Sequence, residues 1–192
     1  GEFIETQVGG DLYQLMPALE LYKLVLALLN PRDPVNLFNL IDSNYVGIQL
    51  DIQGLHGLSS EEQITKLTDV LDQYFMTTMG KTWEQIISDT KIQPILMLLR
   101  NIYEGCQPWS QYSATDSEQR FYKANYELVL EKIIKTYSVD YLTLNVIEHS
   151  MHINIMTKQE ELARNIEVET DDIRVICTTV HKAKGLEYGC VI

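Results

Sequence analysis

From about residue 15 to about residue 165 the apolar residues recur at helical spacing, and start and stop signals punctuate them in order, so the body of this chain can only be an α-helical domain. The segment Met16 to Leu29 is apolar nearly all round, through Leu19, Leu21, Leu24, Val25 and Leu28. Pro17 suits its first turn and Asn30-Pro31 its end, so this helix should be central. Asp33-Pro34 opens a short second helix, Val35 to Ile41, after which Gly47, Gly54 and Gly57 break up a stretch that takes no firm assignment. Ser59 and Glu62 have capping-box spacing. Ile64, Leu67, Leu71, Tyr74 and Phe75 then share one face until Gly80 ends a helix of about five turns. Thr82 to Ser88 and Lys91 to Tyr103 read as two more helices, with Pro94 placed in the first turn of the second. Thr115 and Glu118 repeat the capping-box spacing ahead of a stripe of Tyr122, Tyr126, Val129, Leu130, Ile133, Ile134 and Tyr137. A last stripe, Leu144, Ile147, Met151 and Ile155, fades into the polar run from Lys158 to Arg164.

The two ends differ in kind. Phe3 to Val8 and Ile173 to Thr178 are short and β-branched, and Gly9-Gly10 and Asp171-Asp172 mark their joins to the helices. Two strand-bearing flanks around a helical insertion are therefore expected, mostly α overall, with the flanks close together in space. At 192 residues and 45% hydrophobic content the chain can bury one substantial core.

Charge narrows what the core can serve. With 15 Lys and Arg against 27 Asp and Glu, the net charge of -12 repels phosphate backbones, so any contact with nucleic acid has to be local. Cys106, Cys177 and Cys190 are odd in number and lie in or beside apolar stretches, which suits reduced thiols and a cytoplasmic setting. No leader is visible, and no run approaches the roughly 18 apolar residues of a membrane span. The closing run Cys190-Val191-Ile192 reads as an interrupted strand, so the chain is expected to be a piece of a longer protein.

Chemistry concentrates near that end. Residues 174 to 192 read as a strand, a tight basic loop and the start of another strand, and the loop holds more hydroxyl, imidazole and ammonium groups than a connection needs. Such groups contact phosphate. Gly185 permits close backbone approach, and Glu187 can accept from a ribose hydroxyl. The run Thr179-Val180-His181-Lys182-Ala183-Lys184-Gly185-Leu186-Glu187-Tyr188 resembles motif V of superfamily 1 DNA helicases of the UvrD/Rep/PcrA type. Gly9-Gly10-Asp11-Leu12-Tyr13, a helix, and then Leu29-Asn30-Pro31-Arg32-Asp33 resemble the same family's lead into its 2B domain.

The resemblance implies residues 1-14 as a flanking segment of the RecA-like α/β (2A) domain, 15-170 as the helical 2B insertion, and 171-192 as a 2A segment carrying motif V. It also implies a parent enzyme that hydrolyses ATP with Mg2+, translocates on single-stranded DNA and unwinds duplex DNA. Thr179 and His181 would then face the DNA backbone, with Lys182 and Lys184 as electrostatic helpers, while Gly185 and Glu187 would lie on the ATP side. Where the family has a Pro-x-Arg-Gly-Ile-Gly segment, Ser43-Asn44-Tyr45-Val46-Gly47-Ile48 departs from it, and a duplex-binding role for that loop is not carried over. A helicase-nuclease subunit of the RecB/AddA kind shares motif V. A helical protein-interaction module without a nucleotide role is the reading from another class.

Blander readings hold elsewhere. Gly80-Lys81-Thr82 mimics the tail of a P-loop, but Phe75 stands where its first Gly belongs and a helix precedes it. No acidic Walker B strand is present, so the chain alone should not hydrolyse ATP. Glu148, His149 and His152 lack a Cys or Asp nearby to complete a metal site, and none is expected. Trp109, Tyr112, Phe121 and Tyr122 have only Arg120 and Lys123 interleaved with them and suit core packing or a protein partner better than bases. His56 reads as a surface residue.

Overall fold

The computed structural model describes residues 4–6, 11–137, 142–157 and 175–177. Nine helices run in order through the described residues: α1 Met16–Leu29, α2 Pro34–Asp42, α3 Gln53–His56, α4 Ser60–Met79, α5 Trp83–Asp89, α6 Ile95–Cys106, α7 Pro108–Tyr112, α8 Asp116–Thr136 and α9 Leu144–Thr157. The chain is mostly helical, as its spacing predicts.

α1 is the central helix. It packs against α2, α8 and α9, and its Ala18, Leu21, Leu24, Val25 and Ala27 have no exposed surface. Pro17 occupies the first turn, where a missing N–H leaves no intrahelical bond unmade. α4 closes the far side of the core against α2, α5 and α6. Its first turn is held by the reciprocal Ser59 and Glu62 capping box, and Gly80 ends it at φ 68, a left-handed conformation that costs glycine nothing. α6 approaches α4 closely at Gly105, where a Cβ would meet Met79 Cγ at 2.9 Å.

α8 lays down the predicted stripe, with Tyr122, Tyr126, Val129, Leu130 and Ile133 fully buried. The aromatic core meets there: Tyr103 of α6 stacks on Tyr126 with ring centroids 3.6 Å apart, and Trp109 of α7 leans on Tyr103 at 4.6 Å. Trp109 and Tyr122 are thus core residues, and Lys123 places its ammonium 4.3 Å from the Trp109 ring centroid.

Two expectations need correction. α6 begins at Ile95 with Pro94 as its N-cap, not at Lys91. Residues 91–93 instead close turns onto Ser88 and Asp89, because the residue before a proline is pushed out of the helical region. Thr115 is the N-cap of α8 but makes no side-chain capping bond. Ser113 takes over: its hydroxyl donates to Glu118 and accepts from the Thr115 N–H at 3.0 Å, and its carbonyl accepts from Gln119 Nε2 at 2.8 Å. The short α3 lies in the stretch that takes no firm assignment, and α7 in one for which the sequence gives no reading.

At the ends, β1 (Ile4–Thr6) and β2 (Val175–Cys177) pair in parallel, with Ile4 opposite Val175 and Thr6 opposite Cys177. The expected strands Phe3 to Val8 and Ile173 to Thr178 extend beyond the described residues on both sides. A parallel pair needs a crossover connection, and here the whole helical body supplies it.

Candidate functional site

Parallel pairing brings the carboxyl ends of β1 and β2 together, and loops leaving the carboxyl ends of parallel strands are where α/β sheets hold their ligands. The run 179–188, which resembles motif V, follows Cys177 in sequence. Its residues Thr179, His181, Lys182, Lys184, Gly185 and Glu187 lie outside the described residues, as do Gly9 and Gly10.

What is described is the root of the helical body. Asp11 accepts the Tyr13 N–H at 3.1 Å and so caps a 3-10 turn over Leu12–Gln14. Leu12 and Tyr13 are buried, which anchors the first described residues of the body in its core. One residue on, Gln14 Nε2 donates to the Ile155 carbonyl of α9 at 2.9 Å. The start of the helical body and its α9 are therefore tied to each other directly.

A second tie lies two turns further along α1. Tyr22 Oη donates to Glu148 Oε1 at 3.0 Å and lies 2.9 Å from His152 Nδ1. Glu148 and His152 face the same way because they sit four residues apart on α9, their near atoms 4.0 Å apart. Burial and the neighbouring Glu148 push the Tyr22 phenol up to about 12. His149, the neighbour named with these two in the sequence, is exposed and outside the cluster. Sequence spacing finds Glu148 and His152 but not their phenolic partner, which comes from a helix 126 positions away.

Inside the body, Glu20 is a buried carboxyl 1% exposed. It accepts from Tyr122 Oη at 2.7 Å and from the Asn44 N–H at 2.9 Å, joining α1 to α8 and to the turn after α2. The turn after α2 is thus packed: Ser43, Tyr45 and Val46 are buried.

The P-loop-like triplet serves structure. Lys81 Nζ is engaged by Asp89 at 2.6 Å, and Thr82 caps α5 by accepting the Gln85 N–H. Among the described residues two surface depressions stand out. One, of about 230 Å3, is an apolar groove of α2, α3 and α4 lined by Val35, Phe38, Ile52, Leu55 and Leu67 with His56 exposed at its edge. The other, of about 490 Å3, lies between the end of α1, the turn before α6 and the start of α9, with Lys91, Gln93 and Asn145 among its polar lining. Among the described residues no three of His, Cys, Asp and Glu come together, and no helix is long and apolar enough to cross a membrane. No protein family, curated protein or solved structure matches the chain.

Proposed function

We propose that this chain supplies the 2B insertion and the motif V loop of a superfamily 1 helicase of the UvrD/Rep/PcrA type. The observation that carries the reading is the ten-residue run 179–188, placed two residues after a strand. The adjacency of β1 and β2 supports it, since an inserted domain has to leave and re-enter its host at neighbouring points. The shared edge supports it too, because a loop at the carboxyl ends of parallel strands suits nucleotide and phosphate contacts. In the parent enzyme ATP and Mg2+ drive translocation on single-stranded DNA. Thr179 and His181 face the DNA backbone with Lys182 and Lys184 nearby, and Gly185 and Glu187 face the nucleotide. One loop touching both ligands couples them. A RecB/AddA-like helicase-nuclease subunit uses the same loop in the same way.

The test is made on the full-length protein. His181→Ala removes a phosphate contact worth about 0.5–1.5 kcal/mol, or more if charged, and should weaken DNA stimulation of the ATPase while basal nucleotide binding survives. Glu187→Gln should lower nucleotide affinity or turnover while DNA affinity without nucleotide changes little. Two variants indistinguishable from the parent would remove the motif V assignment. A second reading, a helical protein-interaction module without a nucleotide role, draws support from the apolar groove of α2, α3 and α4. It predicts that both variants are silent while Phe38→Asp abolishes partner capture.

A further inference from the structure

Three donor atoms of different chemistry converge where α1 meets α9: the Tyr22 phenol oxygen, a Glu148 carboxyl oxygen and the His152 Nδ1. Their separations are 3.0, 2.9 and 4.0 Å. The point equidistant from all three lies about 2.0 Å from each, inside the roughly 2.0–2.2 Å range of metal–nitrogen and metal–oxygen bonds, so a small rotation of the side chains turns the hydrogen-bonded cluster into a ligand set. Seen from that point, the Glu148 and His152 atoms are nearly opposite each other and the Tyr22 oxygen is close to a right angle from both. Such a T is three corners of a square and differs from a tetrahedron, which favours ions of tetragonal preference over zinc.

We propose that Tyr22, Glu148 and His152 form a binding site for a divalent transition-metal ion, with copper(II) the best fit and nickel(II) next. Imidazole and oxygen donors suit both ions, and the general order of affinities places copper(II) above nickel(II) and zinc. His152 has half its side-chain surface exposed, 51%, and Glu148 has 28%, so the site opens to solvent, which supplies the remaining ligands. The binding step is balanced without redox change. The metal takes the place of the phenol proton, which leaves to solvent, the imidazole carries its own proton on Nε2 so that Nδ1 offers a lone pair, and a phenolate and a carboxylate together neutralise the ion's two positive charges. The net charge of -12 favours cation approach. Bound metal would cross-link the first long helix of the body to the last, next to the Gln14–Ile155 tie at its root. This site stands or falls independently of the helicase reading.

The probe is copper(II) sulfate titrated into the purified chain, followed by equilibrium binding against a competing chelator and by visible absorption, with nickel(II) and zinc(II) chlorides for comparison. The expected result is one copper(II) per chain, a phenolate-to-copper charge-transfer band, and affinities in the order copper, nickel, zinc. Tyr22→Phe should abolish the band and weaken binding at least tenfold. His152→Ala and Glu148→Gln should each weaken binding at least tenfold, the latter preserving shape and hydrogen bonding so that a folding defect cannot mimic the loss. His149→Ala and His56→Ala should change neither readout. Absence of the band in the parent chain, binding that follows His149 or His56, or binding untouched by all three ligand substitutions would each overturn the proposal.

Discussion

The hydroxyls of Tyr122 and Tyr45 are both removed from water, yet they stand in opposite situations. Tyr122 Oη is satisfied by the buried Glu20 carboxyl at 2.7 Å, whereas Tyr45 Oη meets no hydrogen-bond partner among the described residues. Deleting one member of a buried pair leaves the other desolvated and unmatched, while deleting an unmatched group removes a penalty. Tyr122→Phe should therefore cost about 1–3 kcal/mol, and Tyr45→Phe should be near neutral or stabilising, although both keep the ring and both positions are fully buried. Urea titration of the two variants at pH 7 measures the contrast. Equal losses would mean that ring packing, which phenylalanine preserves, does not isolate the hydroxyls.

At the scale of the element, the start of α8 tests where capping comes from. Because the Thr115 side chain makes no capping bond and Ser113 organises the turn through its hydroxyl and carbonyl, Ser113→Ala should cost about 1 kcal/mol and Thr115→Ala much less, read from thermal unfolding. The reverse order would restore Thr115 as the cap. The same place shows what can be read from sequence. Ser59 and Asp33 cap their helices where the sequence places their starts, because each sits immediately before an apolar repeat with a suitable partner two or three residues on. α1 runs over the predicted residues because its apolar run and its proline and asparagine boundaries agree. The Thr115 spacing misleads because a second hydroxyl two residues earlier competes for the same glutamate. Tyr22 and Glu20 stay silent in sequence for a different reason: their partners lie 126 and 102 positions away, and periodicity carries no information about which helix faces go together.

Across the whole molecule, the core concentrates acidic protons that the fold will not release. Desolvation by burial, reinforced by neighbouring tyrosines or acidic residues, holds the phenols of Tyr45, Tyr103, Tyr122 and Tyr126 well above their ordinary range. Burial also pushes the Cys106 thiol up to about 12, against a weaker opposing bond with Tyr74. Each of these groups is neutral in the folded chain at a pH where the unfolded chain has already lost the proton. The stability they carry is thus fully present below the unfolded pKa and drains away as pH rises toward the folded one. Cys106 begins that loss near pH 9 and the four tyrosines join near pH 10, each at about 1.4 kcal/mol per pH unit. The tyrosines together then remove on the order of 5 kcal/mol per unit, against a total stability of about 5–15 kcal/mol for a domain. Urea midpoints should be flat from pH 6 to 8, decline gently above pH 9, and fall steeply above pH 10, with cooperative unfolding one to three units higher, about pH 11–13. Cys106→Ala should abolish the gentle phase between pH 9 and 10 and leave the steep one in place. A midpoint that stays level to pH 11.5 would mean that the core opens to water without unfolding, and would remove the tyrosine cluster as the element that sets the alkaline limit of this fold.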